Sequence, residues 1–192
     1  MPRSKTFDEQ EALQKAMDAF WKNGYHATSM QDLVDAMGIN RASLYDTFGG
    51  KRALFDRAFE LYRATNTAGL KRFLESQESV REGFRQLFAN AIAESQSDRK
   101  GCFVVNVTTE LLPADEALQE TLQANKVAFT EVFCQFLQKG VEQGEIAAGK
   151  DLRAIAGMIF TLYNGVKVVG KIPGQEEELM ASVEAALGVL AY

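Results

Sequence analysis

The sequence has little of several residue types that mark particular protein classes. It contains two cysteines, Cys102 and Cys134, far apart and without CxxC spacing, so we expect two free thiols rather than a disulfide framework or a zinc site. The single histidine, His26, leaves no Ser-His-Asp triad or histidine-based metal site complete. No glycine-rich phosphate loop follows a strand-like segment. We therefore expect a protein that is not an enzyme and that holds no metal or cofactor.

Long apolar runs are missing from the N-terminus, and proline is scarce throughout. The charged start of the chain, Met1 to Lys5, has no apolar stretch behind it, so we expect no signal peptide, no membrane partner and a cytoplasmic location. The only prolines are Pro2, Pro113 and Pro173, and alternating apolar and polar residues are nearly absent. Helical periodicity dominates instead, which predicts an all-α fold of about nine helices.

The net charge of -5 is unevenly distributed along the chain. Residues 1–55 carry 7 Lys/Arg and 7 Asp/Glu, whereas residues 56–192 carry 14 and 19, so the second part holds the whole excess (14 - 19 = -5). An acidic bulk can therefore coexist with a neutral N-terminal end whose basic side chains face a polyanion.

Capping signals divide the first part of the chain into short helices. A helix over about 8–24 ends at Gly24, and Thr28 with Gln31 forms a possible capping box for a second helix that ends at Met37. Gly38 can adopt the left-handed conformation, and Asn40 can cap a third helix. The pattern predicts a helix, a tight turn and another helix.

The remaining helices are longer and more apolar. Residues 102–112 contain β-formers, but no second strand is available to pair with them, so we expect a short buried helix there. The last two helices are more apolar than one small domain needs, which predicts a homodimer interface. We expect Leu162, Val183 and the small residues Gly157, Thr161 and Gly165 to lie in it. The other helices are predicted over 41–48, 51–67, 79–96, 113–143, 151–171 and 175–190.

The segment that begins Gly38-Ile39-Asn40-Arg41-Ala42-Ser43-Leu44-Tyr45 and continues through Phe48 and Gly49-Gly50-Lys51 to Leu54 resembles the DNA-binding signature of the TetR family. The resemblance extends over about residues 7–55. It implies an N-terminal three-helix helix-turn-helix domain, a divergent C-terminal helical bundle, and a dimeric regulator that is released from double-stranded operator DNA by a small-molecule effector. We place the domain boundary between residues 1–50 and 51–192.

The physical character of these residues leads to the same interpretation. A helix that begins at Arg41 fits the major groove and would point its first-turn side chains at base edges, while Lys51 at the next helix start can meet a phosphate. Asp46 and Thr47 depart from the family pattern, which leaves the operator sequence open. The predicted DNA contacts are Thr28, Ser29, Asn40, Arg41, Ala42, Ser43, Tyr45, Asp46, Thr47 and Lys51, and Arg3 with Lys5 could form an arm.

Aromatic and polar residues in the C-terminal part are candidates for contact with the effector. Phenylalanines at helical spacing are more often packing residues than a ligand box, so simple core packing remains the alternative. Polar residues where the pattern demands apolar ones are more informative, and Asn125 and Asn164 are of this kind. The predicted ligand contacts are Phe84, Phe88, Cys102, Phe103, Asn106, Thr109, Phe129, Phe133 and Tyr163.

Cys102 is open to two interpretations. It follows Arg99, Lys100 and Gly101 at a predicted helix start, where positive charge and free amides favour the thiolate. The Gly-Cys pair also resembles a TetR-type subgroup that includes electrophile-sensing repressors. Alternatively, Cys102 is a small buried hydrophobe.

Three functions therefore compete. The sequence favours a ligand-responsive transcriptional regulator, most simply a repressor. A helical ligand-binding or partner-binding module without DNA function is the second possibility, and an enzyme is the third.

Overall fold

The computed structural model describes residues 7–191. Within these residues there are nine α-helices, one short 3-10 helix and no strand, so the all-α prediction is confirmed. The helices are α1 (Glu9–Asn23), α2 (Met30–Met37), α3 (Arg41–Phe48), α4 (Lys51–Glu75), α5 (Val80–Ser97), α6 (Phe103–Glu110), α7 (Leu118–Glu142), α8 (Leu152–Val169) and α9 (Glu176–Leu187), followed by the 3-10 turn Gly188–Leu190.

The capping box of α2 lies one residue later than predicted. The Ser29 hydroxyl accepts from the Asp32 N–H at 3.1 Å, and the Asp32 carboxylate accepts from the Ser29 N–H at 2.8 Å. Thr28 instead donates its hydroxyl to the carbonyl of Gly24 at 2.6 Å and is fully buried. The prediction that Thr28 and Gln31 form the box was wrong, because Ser29 offers the same hydroxyl one position closer to the helix.

Two helix boundaries also differ from the prediction. Helix α4 continues beyond Thr67 to Glu75 because burial of Leu70 and Leu74 in the core stabilises the additional helical turns. Helix α7 starts at Leu118 rather than Pro113, after a turn in which the Ala114 N–H donates to the Leu111 carbonyl. Residues 102–112 do contain the predicted short helix, α6.

The buried apolar side chains form two clusters. The N-terminal core joins α1–α3 and the first half of α4 to α6, through residues such as Phe20, Phe55 and Phe103. The C-terminal core joins the second half of α4 to α5, α7, α8 and α9, around Phe84 and Phe133. Helix α4 therefore runs through both cores, and α6 packs in the N-terminal core.

Candidate DNA interface and effector cavities

Helix α3 is held by its apolar side and leaves its polar side uncovered. Leu44 and Phe48 are buried in the N-terminal core at 0% and 3% exposure. Arg41, Ala42, Tyr45 and Asp46 are exposed, and Ser43 and Thr47 are half-buried. The side chains predicted to face DNA thus occupy the accessible face of a short helix, as direct readout in a major groove requires.

Both ends of α3 are fixed by local hydrogen bonds and glycine geometry. The Asn40 side chain accepts from the Ser43 N–H at 2.8 Å, which caps the helix start. Gly49 ends it in the left-handed conformation with φ of 79°. At Gly50, φ is 118° and an added Cβ would meet the Tyr45 ring at 3.4 Å, so a side chain there would be strained. This geometry sets the angle between α3 and α4.

The start of α4 has the features of an anion contact. No side chain in the described part of the chain caps its first N–H groups, which leaves them available. The Lys51 ammonium lies 4.4 Å from the centre of the Tyr25 ring, a cation–π contact that holds it beside these amides. This position suits contact with a phosphate rather than a base.

Two of the predicted DNA contacts have altered roles. Thr28 is fully buried and bonded to its own turn, so its side chain is part of the fold and not of the exposed face. Ser29 is exposed, although its hydroxyl already accepts the capping bond. The possible arm of Arg3 and Lys5 lies outside the described residues.

A cavity of about 360 Å³ lies between α6, α7 and α8. Val104, Val105 and Phe160 contribute apolar wall, whereas Asn125 and Asn164 contribute amides. The side-chain oxygen of Asn125 is buried and accepts no hydrogen bond from any described residue, which leaves an acceptor unsatisfied at this wall. We refer to this space as the α6 cavity.

A second cavity of about 340 Å³ lies between α4, α5 and α8. Leu70, Phe73 and Leu87 form its apolar side, and Tyr163 and Lys167 come from α8. The Lys167 ammonium lies 3.4 Å from a carboxylate oxygen of Glu94 and 5.0 Å from the centre of the Tyr163 ring. We refer to this space as the α4 cavity.

Only two of the predicted ligand contacts line these cavities. Thr109 lines the α6 cavity and Tyr163 lines the α4 cavity. The predicted phenylalanines line neither cavity, because their rings fill the two cores and make edge-to-face contacts with other aromatic rings. Those that pack in the cores are Phe84, Phe88, Phe103, Phe129 and Phe133.

Cys102 and Asn106 are engaged within the protein and line neither cavity. Cys102 precedes α6, is 5% exposed, and lies 3.9 Å from the Tyr62 hydroxyl. Asn106 donates to the Lys100 carbonyl at 3.0 Å and accepts from the Lys171 ammonium at 3.1 Å. Burial restricts access to the thiol, which weighs against a freely reactive cysteine.

The end of α6 is tied to the loop after α1. The Glu110 carboxylate accepts from the backbone N–H of His26 at 2.7 Å and from that of Tyr25 at 3.0 Å. Gly24, with φ of 83°, makes room for it, since an added Cβ would lie 2.8 Å from the carboxylate. Arg52 of α4 pairs with Asp115 in the turn beyond α6. One face of α6 therefore lines a cavity while its end is hydrogen-bonded to the loop between α1 and α2.

Helix α8 has an uncovered apolar face. Its 18 residues, Leu152–Val169, have a mean hydropathy of 1.3, yet only 28% of them are buried within the subunit. An added Cβ at Gly157 or Gly165 would meet no atom within 4 Å. Val183 is fully buried in the C-terminal core, so the expectation that it lies in a subunit interface was wrong.

An exposed, capped α3 behind a short α2, joined to a helical half with cavities, defines a helix-turn-helix DNA-binding protein with an attached sensor region. Among residues 7–191 there is no cluster of three or more His, Cys, Asp or Glu side chains that could hold a metal ion. The chain matches the family described as bacterial regulatory proteins, tetR family, over residues 12–58, and a tetracyclin repressor-like C-terminal domain over residues 71–186. It belongs to the TetR family of transcriptional regulators.

Individual relatives agree along nearly the whole chain. An uncharacterized HTH-type transcriptional regulator of Bacillus subtilis (strain 168), YezE, is 31% identical over 99% of this chain and 100% of its own. The HTH-type transcriptional repressor ComR of Escherichia coli (strain K12) is 32% identical over 93% of this chain and 86% of its own. A cysteine mutant of the TetR family regulator CifR, solved with a 26-bp operator duplex, is 33% identical with a TM-score of 0.84, over 98% of this chain and 99% of its own.

Proposed function

We propose that this regulator is a cytoplasmic, non-catalytic repressor that binds operator DNA as a homodimer and is released by a small molecule. Residues 1–50 read the DNA, and residues 51–192 bind the effector and form the dimer. The exposed first-turn face of α3 is the observation that carries the proposal, because burial of Leu44 and Phe48 leaves Arg41, Ala42 and Ser43 free to meet base edges. The operator-bound CifR relative supports the same mode of binding.

The remaining contacts divide by chemistry. Tyr45, Thr47 and Ser29 offer hydroxyls to phosphates, and Lys51 offers charge beside free amides of α4. Asp46, exposed on the same face, accepts from a cytosine amino group or else repels phosphate. Asn40 acts through its cap on α3, because its side-chain oxygen is already occupied by the Ser43 N–H.

The dimer interface is proposed to include the uncovered face of α8. Helix α8 is apolar and long enough to cross a membrane, but in a family of DNA-binding regulators its exposed and half-buried side chains fit a subunit interface. Gly157, Thr161 and Gly165 lie on this side and allow close approach of a partner helix. Pairing through α8 sets the distance between the two copies of α3.

Helices α4 and α6 are proposed to carry the response. Each forms a wall of one cavity and also packs in the N-terminal core. A ligand that favours a different position of either helix changes the spacing of the two α3 helices, so that they no longer match half-sites separated by about one helical turn.

The proposal is tested by selecting a duplex from a random-sequence pool with the purified dimer and measuring affinity by fluorescence anisotropy at several salt concentrations. Arg41→Ala is expected to weaken binding by about 1–3 kcal/mol, roughly 5- to 150-fold, and to relax selection at one position. Arg72→Ala removes an exposed charge on α4 far from α3 and serves as the matched control. The proposal would be contradicted if no duplex were enriched at low salt, or if the Arg41→Ala protein bound the selected duplex as tightly as the wild type.

A further inference from the structure

The α4 cavity has one apolar side and one cationic end. Leu70 and Phe73 of α4 and Leu87 of α5 form the apolar side. The polar groups at the wall come from Thr65 and Asn66 of α4, Asn90 and Glu94 of α5, and Tyr163 and Lys167 of α8. At about 340 Å³, the space is near the lower end of the range for small-molecule sites, so its occupant is a compact molecule.

The Lys167 ammonium is buried, and residues 7–191 offer it no carboxylate closer than that of Glu94. Its side chain is 8% exposed, and its ion-pair partner is one carboxylate oxygen of Glu94 at 3.4 Å. Charge-assisted N–H···O bonds are usually about 2.7–2.9 Å long. The Glu94 side chain is 70% exposed, so water screens its charge. The Lys167 ammonium therefore has no carboxylate partner at the length of a strong charge-assisted hydrogen bond among the described residues.

The charge of Lys167 is nevertheless retained at neutral pH. Burial acts to lower the pKa of Lys167, but the surroundings of Tyr163, Cys102 and Glu94 outweigh burial and leave the pKa above its usual value. The Tyr163 ring, 5.0 Å from the ammonium, adds a cation–π contact that also favours the charged form.

We propose that the α4 cavity binds a small organic carboxylate, with the carboxylate on Lys167 and the hydrocarbon body against the apolar side. The ligand supplies the close acceptor that Glu94 does not. The Glu94 side chain then rotates away from Lys167 towards the solvent that already surrounds most of it. A neutral molecule of the same shape fills the same space but offers the ammonium no close charged acceptor. The preference for an anion therefore follows from the buried charge rather than from the cavity's shape.

A small organic carboxylate would be the effector of the proposed regulator. Only the effect of the carboxylate on DNA binding rests on the proposed function; binding to the cavity does not. Helix α4 forms one wall of the cavity through Thr65, Asn66 and Gly69. This helix begins beside α3. Binding itself is measured without DNA, so the two proposals fail separately.

The test uses the purified full-length protein, with hexanoate and benzoate as probes and hexanamide and benzamide as neutral matches. Isothermal calorimetry is expected to give at least tenfold tighter binding for each carboxylate than for its amide. Lys167→Met is expected to remove that preference, and since a buried charge is replaced by an apolar chain of similar length, the fold should persist. Glu94→Gln is expected to tighten carboxylate binding several-fold, because it removes the competing negative charge.

A second variant, which is expected to keep the fold, controls for a loss of binding that is caused by unfolding. An added Cβ at Gly69 meets no atom within 4 Å, so Gly69→Leu can extend into open space on a helix and is expected to weaken carboxylates and amides alike. Equal affinity for carboxylate and amide, unchanged preference in Lys167→Met, or no carboxylate binding to the wild type would each overturn the assignment. Carboxylate binding without release from DNA would support the site and contradict the proposed signalling.

Discussion

Helix α3 in the N-terminal half and helix α8 in the C-terminal half each leave one face uncovered, but the two faces differ in chemistry. The face of α3 is short and polar, with Arg41, Tyr45 and Asp46 exposed. The face of α8 is long and apolar, and only 28% of the helix is buried. The comparison indicates that the composition of an uncovered face identifies its partner: a polyanion with readable edges for one, and a second copy of the chain for the other.

The largest effect is expected from placing a charge on the α8 face. Thr161→Glu would bury a carboxylate without a partner in the dimer, which costs about 3–5 kcal/mol for an uncompensated charge, or more than 100-fold in the dimer dissociation constant. Light scattering should then find monomers, and operator affinity should fall because each monomer holds one half-site. Ala68→Glu on the exposed side of α4 is the matched control. A dimer that survives Thr161→Glu would exclude α8 from the interface.

A smaller effect is expected where the two halves meet. Glu110→Ala removes the acceptor for the Tyr25 and His26 N–H groups, which should lower stability by about 1–3 kcal/mol. It should also weaken the coupling between effector and operator, measured as the change in operator affinity at saturating ligand. Glu116→Ala, exposed in the turn before α7, is the control. Unchanged coupling would show that α6 does not transmit the response through this contact.

A third prediction concerns a similar carboxylate in the C-terminal half. Glu145 accepts from the N–H groups of Val80 and Arg81 and from the Ser79 hydroxyl. Although burial opposes the shift, these bonds lower the pKa of Glu145 below its usual 4.5. The stabilisation is therefore complete above that value and lost as the pH falls through the lower, folded-state pKa.

Glu145→Gln should remove this pH dependence at a cost of about 1 kcal/mol at neutral pH. Thermal melting between about pH 6 and pH 3 should fall less steeply for the variant than for the wild type. Operator affinity at neutral pH should stay unchanged, since the contact lies in the C-terminal half. A steeper fall for the variant would contradict the assigned role.

The smallest effect is expected on the α3 face itself. Asp46→Asn removes a negative charge from an exposed position, so overall affinity should rise by only a few-fold while the preferred base at one position changes. Duplex selection with both proteins compares those preferences. Identical selected sequences would place Asp46 outside the base-reading surface.

Local signals in the sequence were sufficient for the N-terminal helices. Gly38, Asn40 and Gly49 define turns and caps by their own backbone preferences, so α2 and α3 end as predicted. The error at Thr28 arises because two adjacent hydroxyl residues compete for one cap, and the burial of Thr28 in the folded protein decides between them.

The cavities could not be located by periodicity alone. An inward stripe of Phe84, Phe88 and Phe133 looks the same in a solid core as beside a cavity, and here those rings fill the core. Asn125 was a better signal, since a polar residue on an inward face needs a partner and its oxygen has none. Lys167 was missed, although a lysine within an apolar helix carries the same kind of information.

The participation of α6 in the N-terminal core has a practical consequence for protein engineering. Phe103 packs against Trp21 of α1, and Phe55 of α4 packs against Phe20. A chimaera cut after residue 50 would therefore expose Phe20 and Trp21 to water unless its new sensor supplied an equivalent cover. Transplanting the specificity of this regulator therefore calls for grafting the surface residues of α3 onto a recipient rather than exchanging whole segments.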